Sequence, residues 1–148
     1  MRRNLCVVEP SIALAGQIGT WKFSFTPSSD LPAGTKMKFD MLVHGRPTDW
    51  EIPNSDLSLE DNLIWLEMPD QSKIQAEEIY SKTHISPSFE FTIPEDVKAG
   101  ETVKIALGCT NGSIEKGIQA QTVSQKRRPF HLYINVKGKS EYKDPEIF

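Results

Sequence analysis

Histidine is the residue type in this sequence best suited to metal binding and to proton transfer near neutral pH. The chain contains three histidines, His44, His84 and His131. No two of them form an HxH or HExxH motif, and neither cysteine lies near one along the chain, so the usual spacings of metal ligands are missing. We interpret each histidine as a surface side chain and predict no metal and no cofactor. A small enzyme or metal protein built on these three residues is the third function to test.

The other groups that commonly carry catalysis also lack their usual sequence context. The chain has no Gly-x-Ser-x-Gly motif, no glycine-rich phosphate loop and no motif around a cysteine. Three acidic pairs, Glu60-Asp61, Glu77-Glu78 and Glu95-Asp96, could flank a glycosidic bond, but adjacent carboxylates in turns are ordinarily solvated. The sequence therefore predicts a protein that is not an enzyme.

Aromatic side chains offer a candidate binding surface. Trp50 lies in or beside a loop, between Pro47-Thr48-Asp49 and Ile52-Pro53, while His131 and Tyr133 lie on the outward face of an alternating strand. Exposed rings on a β-sheet stack on sugars or anchor a protein partner. Trp50, Tyr133 and His131 are therefore the candidate ligand-binding residues, with a protein or a glycan as the partner. The alternative for Trp50 is that it fills the core at one open end of the domain.

Composition and charge exclude several classes of protein. The 148 residues are 25% charged, with a net charge of −3 and a mean hydropathy of −0.40. No apolar run approaches the ~18 residues of a membrane span. The basic run Lys126-Arg127-Arg128 is interpreted as a solvated turn, so no nucleic-acid partner is expected. The length suits a single domain over 1–148, in which 138–148 is predicted to be a charged terminal loop or the start of a linker.

The N-terminal residues resemble a secretory signal only in part. Glu9 and Pro10 interrupt the apolar stretch that follows the first basic residues, whereas a secretory segment needs about 7–15 apolar residues in a row. We predict that this segment is mature sequence and forms the first strand. Localisation stays open between the cytoplasm and export by another route.

Two cysteines, Cys6 and Cys109, lie far apart in the sequence. Small secreted domains that depend on disulfides contain more cysteines than this. We predict two buried thiols, and the alternative is a disulfide across the two sheets of a sandwich.

Apolar and polar residues alternate with a period of two along much of the chain, which is typical of strands with one buried face. The apolar positions predict a core that includes Trp21, Phe23, Phe25, Phe39, Phe89, Phe91, Ile105, Leu132 and Ile134. In 103–109 the alternation places Cys109 on the same face as Ile105. The continuous apolar run 63–68 predicts a strand buried on both faces.

Turns rich in Pro, Gly, Asn and Asp separate these segments. About eight short strands with turns between them favour an all-β fold, namely an immunoglobulin-like antiparallel β-sandwich. The segment 70–80 is the one candidate for a short helix, and it is equally compatible with a loop or an irregular strand.

An internal repeat relates two pairs of strands. Residues 23–39 align without gaps on residues 89–105, and the identical pairs are Phe23/Phe89, Phe25/Phe91, Thr26/Thr92, Asp30/Asp96, Ala33/Ala99, Gly34/Gly100 and Lys38/Lys104. Each copy predicts a strand, a turn with an aspartate, an Ala-Gly pair and a second strand. Two explanations of this similarity stay open. Either both copies converged on one favoured strand connection, or they are two related halves of a sandwich.

Short motifs follow one another along the chain in a characteristic order: Ala15-Gly16, Gly19-Thr20-Trp21, Phe23-Ser24-Phe25-Thr26, Leu31-Pro32-Ala33-Gly34, Trp50-Glu51-Ile52-Pro53, and Phe130–Val136 followed by Gly138 and Tyr142. This order resembles the N-terminal immunoglobulin-like sandwich of a family of large uncharacterised bacterial proteins. The resemblance implies an accessory or positioning domain, joined to a much larger C-terminal region that holds any hydrolase-like chemistry. It implies no catalytic residue in this chain.

The predicted function is that of a non-catalytic interaction or accessory β-sandwich module, acting alone or within a larger protein. One alternative is a carbohydrate-binding module in which Trp50 and Tyr133 form a stacking platform. Another is an assembly or structural subunit that pairs the open edges of its sheets.

Overall fold

Twelve β-strands and no helix occur in the part of the chain that the computed structural model describes, residues 3–44, 46–81, 86–111, 117–136 and 144–148. In chain order the strands are β1 (Leu5–Glu9), β2 (Ile18–Gly19), β3 (Trp21–Thr26), β4 (Lys36–Asp40), β5 (Leu63–Glu67), β6 (Lys73–Gln75), β7 (Glu77–Ile79), β8 (Ser88–Thr92), β9 (Val103–Cys109), β10 (Ile118–Gln119), β11 (His131–Asn135) and β12 (Glu146–Ile147). The all-β prediction is confirmed. The described residues contain no helix long and apolar enough to cross a membrane.

The structure has more strands than the eight expected, because several are too short to leave an alternating pattern. β2, β10 and β12 are two residues long. The segment 70–80 contains β6 and β7 in place of the helix considered for it. Pairing of β6 with β5 and of β7 with β8 satisfies the backbone polar groups that a helix would otherwise have paired.

The strands form two five-stranded antiparallel sheets and one two-stranded sheet. The first sheet has the order β1-β3-β9-β5-β6, the second has the order β12-β11-β4-β8-β7, and β2 pairs with β10. Buried residues from both large sheets form one continuous hydrophobic core, as expected for a β-sandwich. The chain passes from the first sheet to the second at the buried residue Ala76, between β6 and β7.

The predicted core is confirmed at eight of its nine positions, from Trp21 to Leu132, where each side chain is at most 2% exposed. The exception is Ile134, which is only partly buried. β12 pairs with β11 only at His131 and Leu132, so Ile134 lies beyond the end of the edge strand.

β5 is buried on both faces, as its continuous apolar run predicts. Ile64 and Leu66 belong to the main core. The outer face has a second cluster, formed by Leu63, Trp65, Ala106 and Cys109 with Leu57 packed against it.

The expected facing of Cys109 is wrong, because a bulge interrupts β9. The register between β5 and β9 shifts so that Leu63 faces Cys109 while Ile64 faces Leu107. Gly108 is the residue of β9 that has no partner in β5, and its φ is 81°. Such a bulge moves the following side chain to the other face of the sheet, and Cys109 therefore packs in the outer cluster.

The two copies of the repeat form equivalent connections between the sheets. The first copy leads from β3 in the first sheet to β4 in the second, and the second copy leads from β8 back to β9. Gly34 and Gly100 have φ values of 90° and 89°, a conformation that glycine adopts without steric cost. The copies thus cross the sandwich in opposite directions with the same turn. This arrangement agrees with convergence on one favoured connection and equally with two related halves of the sandwich.

The last residues of the chain differ from the charged loop expected over 138–148. Glu146 and Ile147 pair with β11, and Phe148 packs against the main core. Glu146 also accepts hydrogen bonds from Asn4 Nδ2 at 2.5 Å and from Cys6 Sγ at 3.9 Å. Residues 137–143 lie outside the described part of the chain.

Cys6 and Cys109 are both free thiols. Cys6 lies beside Phe25 of β3, and Phe25 lies beside Val103 of β9, six residues before Cys109. At ~3.3 Å per residue these two cysteines are about 20 Å apart along the sheet, whereas a disulfide requires Cα atoms about 4.4–6.8 Å apart. The alternative of a disulfide across the sandwich is therefore wrong.

Candidate functional site

Trp50 packs inside one end of the sandwich. Its side chain is 6% exposed, and its ring meets Trp21 edge-on at 4.9 Å between centroids and Phe130 at 5.5 Å. Because burial removes both ring faces from solvent, Trp50 does not form an exposed stacking platform with Tyr133. The position of Trp50 agrees with the alternative prediction, in which this residue fills the core at an open end of the domain.

His131 and Tyr133 lie side by side on the outer face of β11, half-buried, with ring centroids 6.2 Å apart. The ammonium group of Lys38 lies 4.8 Å from the centroid of the Tyr133 ring, so one face of that ring already has a cationic neighbour. Nδ1 of His131 is buried and has no hydrogen-bond partner among the described residues. The structure thus brings together two of the three predicted binding residues.

Two of the three histidines lie in the part of the chain that the structure describes. His44 is exposed, His131 is on β11, and His84 lies outside the described residues. In the described ranges, no three His, Cys, Asp or Glu side chains are grouped closely enough to hold a metal ion.

Neither thiol is poised for nucleophilic chemistry. Burial raises the pKa of Cys6 to about 11, and the charge and hydrogen bond of Glu146 act in the same direction. Burial also raises the pKa of Cys109 to about 11. Both thiols are therefore protonated at neutral pH, and a thiol reacts as a nucleophile only when it is deprotonated.

A groove of about 790 Å³ opens at the end of the sandwich where β3 and β11 begin. Three stretches of chain line it: segment 10–15 after β1, segment 120–130 before β11, and residues 147–148. Val8 and the buried side chains of Trp21, Phe23 and Trp50 complete the lining. We call this feature the end groove.

The aromatic rings of the end groove hold one another in place. Phe23 contacts Phe130 at 4.9 Å between centroids and meets Phe148 edge-on at 5.4 Å, and Phe130 in turn contacts Trp50. Edge-to-face and tilted contacts of this kind stabilise aromatic rings beyond their buried area. The base of the groove is therefore a packed and ordered surface.

Hydrogen bonds attach segment 10–15 to the rest of the sandwich. The indole N–H of Trp21 donates to the carbonyl of Ile12 at 3.2 Å. The N–H of Gly16 donates to the carbonyl of Gln121 at 2.9 Å, and the N–H of Ala120 donates to the carbonyl of Gln17 at 2.8 Å. The first two stretches that line the groove are thus joined by backbone pairing.

Large apolar side chains around the end groove are exposed to solvent. The exposed fractions are 75% for Ile12, 71% for Leu14, 60% for Ile147 and 50% for Val123. Single exposed apolar residues are common, but several that line one concave surface are typical of a binding site. The end groove is therefore the candidate functional site.

The charged residues that line the end groove are all basic: Lys126, Arg127 and Arg128. In the part of the chain that the structure describes, no aspartate or glutamate lines it, although the whole chain has a net charge of −3. Within the described residues, no ion pair joins any of these three cations to a carboxylate. The groove is thus a positively charged, apolar concavity on an acidic protein.

Arg128 is held in a defined position. Its guanidinium donates to Gln121 Oε1 at 3.2 Å, to the carbonyl of Pro129 at 2.5 Å and to the carbonyl of Met41, and it lies 4.9 Å from the centroid of the Phe130 ring. Burial lowers the pKa of Arg128, and the negative charges of Asp49 and Asp40 oppose that effect. An arginine with these contacts stays protonated at neutral pH.

Asp49 organises the loop that carries Trp50. Its carboxylate accepts hydrogen bonds from the N–H of His44 at 2.9 Å and from the N–H of Arg46 at 3.2 Å, and it pairs with the Arg46 side chain at 3.0 Å. Burial alone would raise the pKa of Asp49, but these hydrogen bonds and the Arg46 charge lower it to about 2. The ionised carboxylate therefore stabilises the loop that positions Trp50 at the groove.

The sequence did not predict the end groove. Segments 10–15 and 121–129 lack an alternating pattern, so neither could be assigned a place relative to the other. The only signal was the coincidence of unpatterned apolar residues such as Ile12 and Leu14 with the basic run at 126–128. Pairing of Gly16 with Gln121 is what brings the two segments together.

No protein-family model matches the chain. The chain is 46% identical to an uncharacterized protein of Chlamydia trachomatis serovar D, 46% identical to one of Chlamydia pneumoniae and 44% identical to one of Chlamydia muridarum, each over 151 aligned residues. Each match covers 100% of this chain and 24% of the relative. The chain therefore spans about a quarter of the length of these relatives.

A solved structure with a distant likeness is that of AvmM, which catalyses macrocyclization in alchivemycin A biosynthesis. The superposition covers 97% of this chain and 86% of AvmM, with 7% sequence identity and a TM-score of 0.38. At this TM-score the activity of AvmM is not transferred to this chain.

Proposed function

We propose that this chain is a non-catalytic, immunoglobulin-like interaction module that binds a partner in its end groove. The observation that carries the proposal is the groove itself. Its packed aromatic base is bordered by exposed Ile12 and Leu14. A concave apolar surface with a few polar groups at its border is the usual form of a binding site.

We also propose that the module acts within a longer protein. Two observations support it: the chain spans about a quarter of the Chlamydia relatives, and its motifs resemble the N-terminal sandwich of large bacterial proteins, which implies an accessory domain. The chemistry of such a protein would lie outside this module, which would position or recruit a partner. Function belongs to the site and not to the fold, so the groove is where the proposal is tested.

A photo-crosslinking experiment tests the proposal. Benzoylphenylalanine replaces Leu14 at the groove or, as the control, Leu59, which is 45% exposed and does not line the groove. In cells that produce the protein, we expect one discrete adduct from position 14 and none from position 59. The adduct should disappear when Ile12→Asp is added to the position-14 variant, while the melting temperature stays unchanged. Identical adducts from both positions, or none from position 14, would refute the proposal.

The carbohydrate-binding alternative now depends on Tyr133 and His131 alone. A single half-buried tyrosine with Lys38 over its ring offers less stacking surface than the platform first predicted. Tyr133→Ala tested against a polysaccharide panel by calorimetry would decide it: heat of binding that this variant loses would establish a glycan site on β11.

A further inference from the structure

The end groove has a chemical character that specifies its partner more closely, and this inference rests on the function proposed above. We propose that the end groove binds an extended polypeptide segment in which acidic and apolar side chains are combined. Three independent features of the groove support this: its charge, its exposed apolar side chains and its unpaired backbone N–H groups.

Charge determines the sign of the partner. Lys126 and Arg127 are exposed, Arg128 is fixed beside them, and no aspartate or glutamate among the described residues lines the groove. Lys126 and Arg127 are adjacent like charges that repel one another, and an acidic partner relieves that repulsion. Arginine also binds carboxylates through two parallel hydrogen bonds, which gives direction as well as attraction. The partner is therefore acidic where it meets residues 126–128.

The exposed apolar side chains of the groove indicate which other side chains the partner carries besides its acidic ones. Ile12, Leu14 and Val123 are each at least half exposed along the groove. Covering an apolar side chain removes its surface from water, which stabilises a complex. A purely acidic ligand would leave these side chains in water, so the partner carries apolar side chains as well.

The backbone of 123–128 favours a polypeptide over a lipid or another amphiphile. Among the described residues, none of the N–H groups from Val123 to Arg128 donates a hydrogen bond to another protein group. The segment precedes β11 and adopts neither helix nor strand. Unpaired N–H groups are what the carbonyls of an extended peptide pair with when it adds a strand to a sheet edge. A lipid has no row of carbonyl acceptors to match these donors.

Synthetic peptides of about eight residues, the length of an ordinary strand, test this inference by fluorescence anisotropy. The first peptide alternates Glu with Leu or Phe, the second has Lys in place of Glu, and the third has Ser in place of the apolar residues. We expect the first to bind and the other two to bind at least about tenfold more weakly. Raising the salt concentration from about 50 mM to about 300 mM should weaken binding of the first peptide, because salt screens exposed charges.

Matched variants locate the site on the protein. Lys126→Glu/Arg127→Glu should weaken binding of the first peptide at least about tenfold. The control is Arg3→Glu/Lys98→Glu, which makes the same change in net charge at exposed positions outside the groove and should change the affinity less than about twofold. Ile12→Ser/Leu14→Ser should weaken binding as well, and because all these side chains are exposed, each variant is expected to fold.

The outcomes separate this inference from the proposed function. If the Glu and Lys peptides bind equally well, the partner need not be acidic and this inference is wrong. If Ile12→Ser/Leu14→Ser also abolishes binding of both peptides, the groove is still a binding site. Binding that no groove variant alters would place the peptide outside the groove and refute this inference, and the crosslinking result from position 14 would decide the proposed function. If no peptide binds, the inference is wrong. In that case, binding of sodium oleate would assign the groove to an amphiphile. A concentration-dependent dimer lost in Lys126→Glu/Arg127→Glu would assign it to a second copy of the chain.

Discussion

Leu31 and Val97 exchange two backbone hydrogen bonds at the point where the two repeat connections meet. The N–H of Leu31 donates to the carbonyl of Val97 at 2.7 Å, and the N–H of Val97 donates to the carbonyl of Leu31 at 2.8 Å. Both side chains are buried in the core, at 5% and 0% exposed. Each copy of the repeat thus supplies the other with a partner for its backbone and an apolar side chain beneath its turn. This reciprocity stabilises the end of the sandwich away from the end groove.

The same symmetry extends to two aspartates, and it predicts equal effects of their removal. Asp30 Oδ1 accepts from the N–H of Ala99, and Asp96 Oδ1 accepts from the N–H of Ala33, both at 2.8 Å. Asp30→Ala and Asp96→Ala should each lower the free energy of unfolding by about 1 kcal/mol, the usual contribution of one hydrogen bond. Asp→Asn at either position keeps an oxygen acceptor and serves as the control. Urea denaturation measures the effects. Losses that differ by more than about 1 kcal/mol, the most that the exposed Lys98–Asp30 ion pair contributes, would contradict the symmetry.

Gly108 is required by both its conformation and its surroundings. Its φ is 81°, and a Cβ there would lie 2.5 Å from the carbonyl oxygen of Gly19 and 2.7 Å from the backbone nitrogen of Ile118. Gly100 has a similar φ of 89° but no heavy atom within 4 Å of such a Cβ, so it is a matched control. Gly108→Ala should destabilise the protein by about 1–3 kcal/mol more than Gly100→Ala does, because only the first variant adds steric overlap. Equal losses in thermal unfolding would show that the close approach to Gly19 is absent.

Phe91 tests the facing of β8. It is 0% exposed and lies opposite Met37 of β4. Phe91→Ala should lower the free energy of unfolding by roughly 3–5 kcal/mol, through lost burial and the cavity that remains. Thr92→Ala, at the exposed next position, should cost about 1 kcal/mol or less. A melting temperature unchanged by Phe91→Ala would show that the strand faces the other way.

Stability should fall in acid through Asp49. Its pKa is about 2 in the folded protein against an ordinary value of 3.8. A lowered pKa in the folded state contributes stability above the unfolded value, and that contribution is lost as the pH falls from about 4 to about 2. The difference in stability between the wild type and Asp49→Asn should therefore be largest at pH 5 and vanish near pH 2. Urea titrations across this range measure it. A difference that stays constant would contradict the role given to the carboxylate, and Glu95→Gln at an exposed position is the control.

The all-β fold and most of its core can be predicted from the sequence, because burial of one face imposes a period of two on every long strand. Phe23, Phe39, Phe89 and Leu132 were assigned to the core from alternation alone, and the uninterrupted run of β5 indicated burial on both faces. Alternation predicts the wrong face where the pairing between strands is irregular. Cys109 follows a bulge at Gly108, and a bulge depends on the register of the neighbouring strand, which a single segment does not encode.

The candidate site depends on contacts between distant parts of the chain. Trp50 was compatible with an exposed loop or a core position, and its contacts with Trp21 and Phe130 made it part of the core. Segments 10–15 and 121–129 are irregular, and irregular segments have no periodicity from which to predict their neighbours. Their side chains form one groove because long-range backbone pairs, such as Gly16 with Gln121, join parts of the chain about a hundred residues apart. Local sequence specifies which face of a strand is buried, whereas only the folded chain specifies which loops meet.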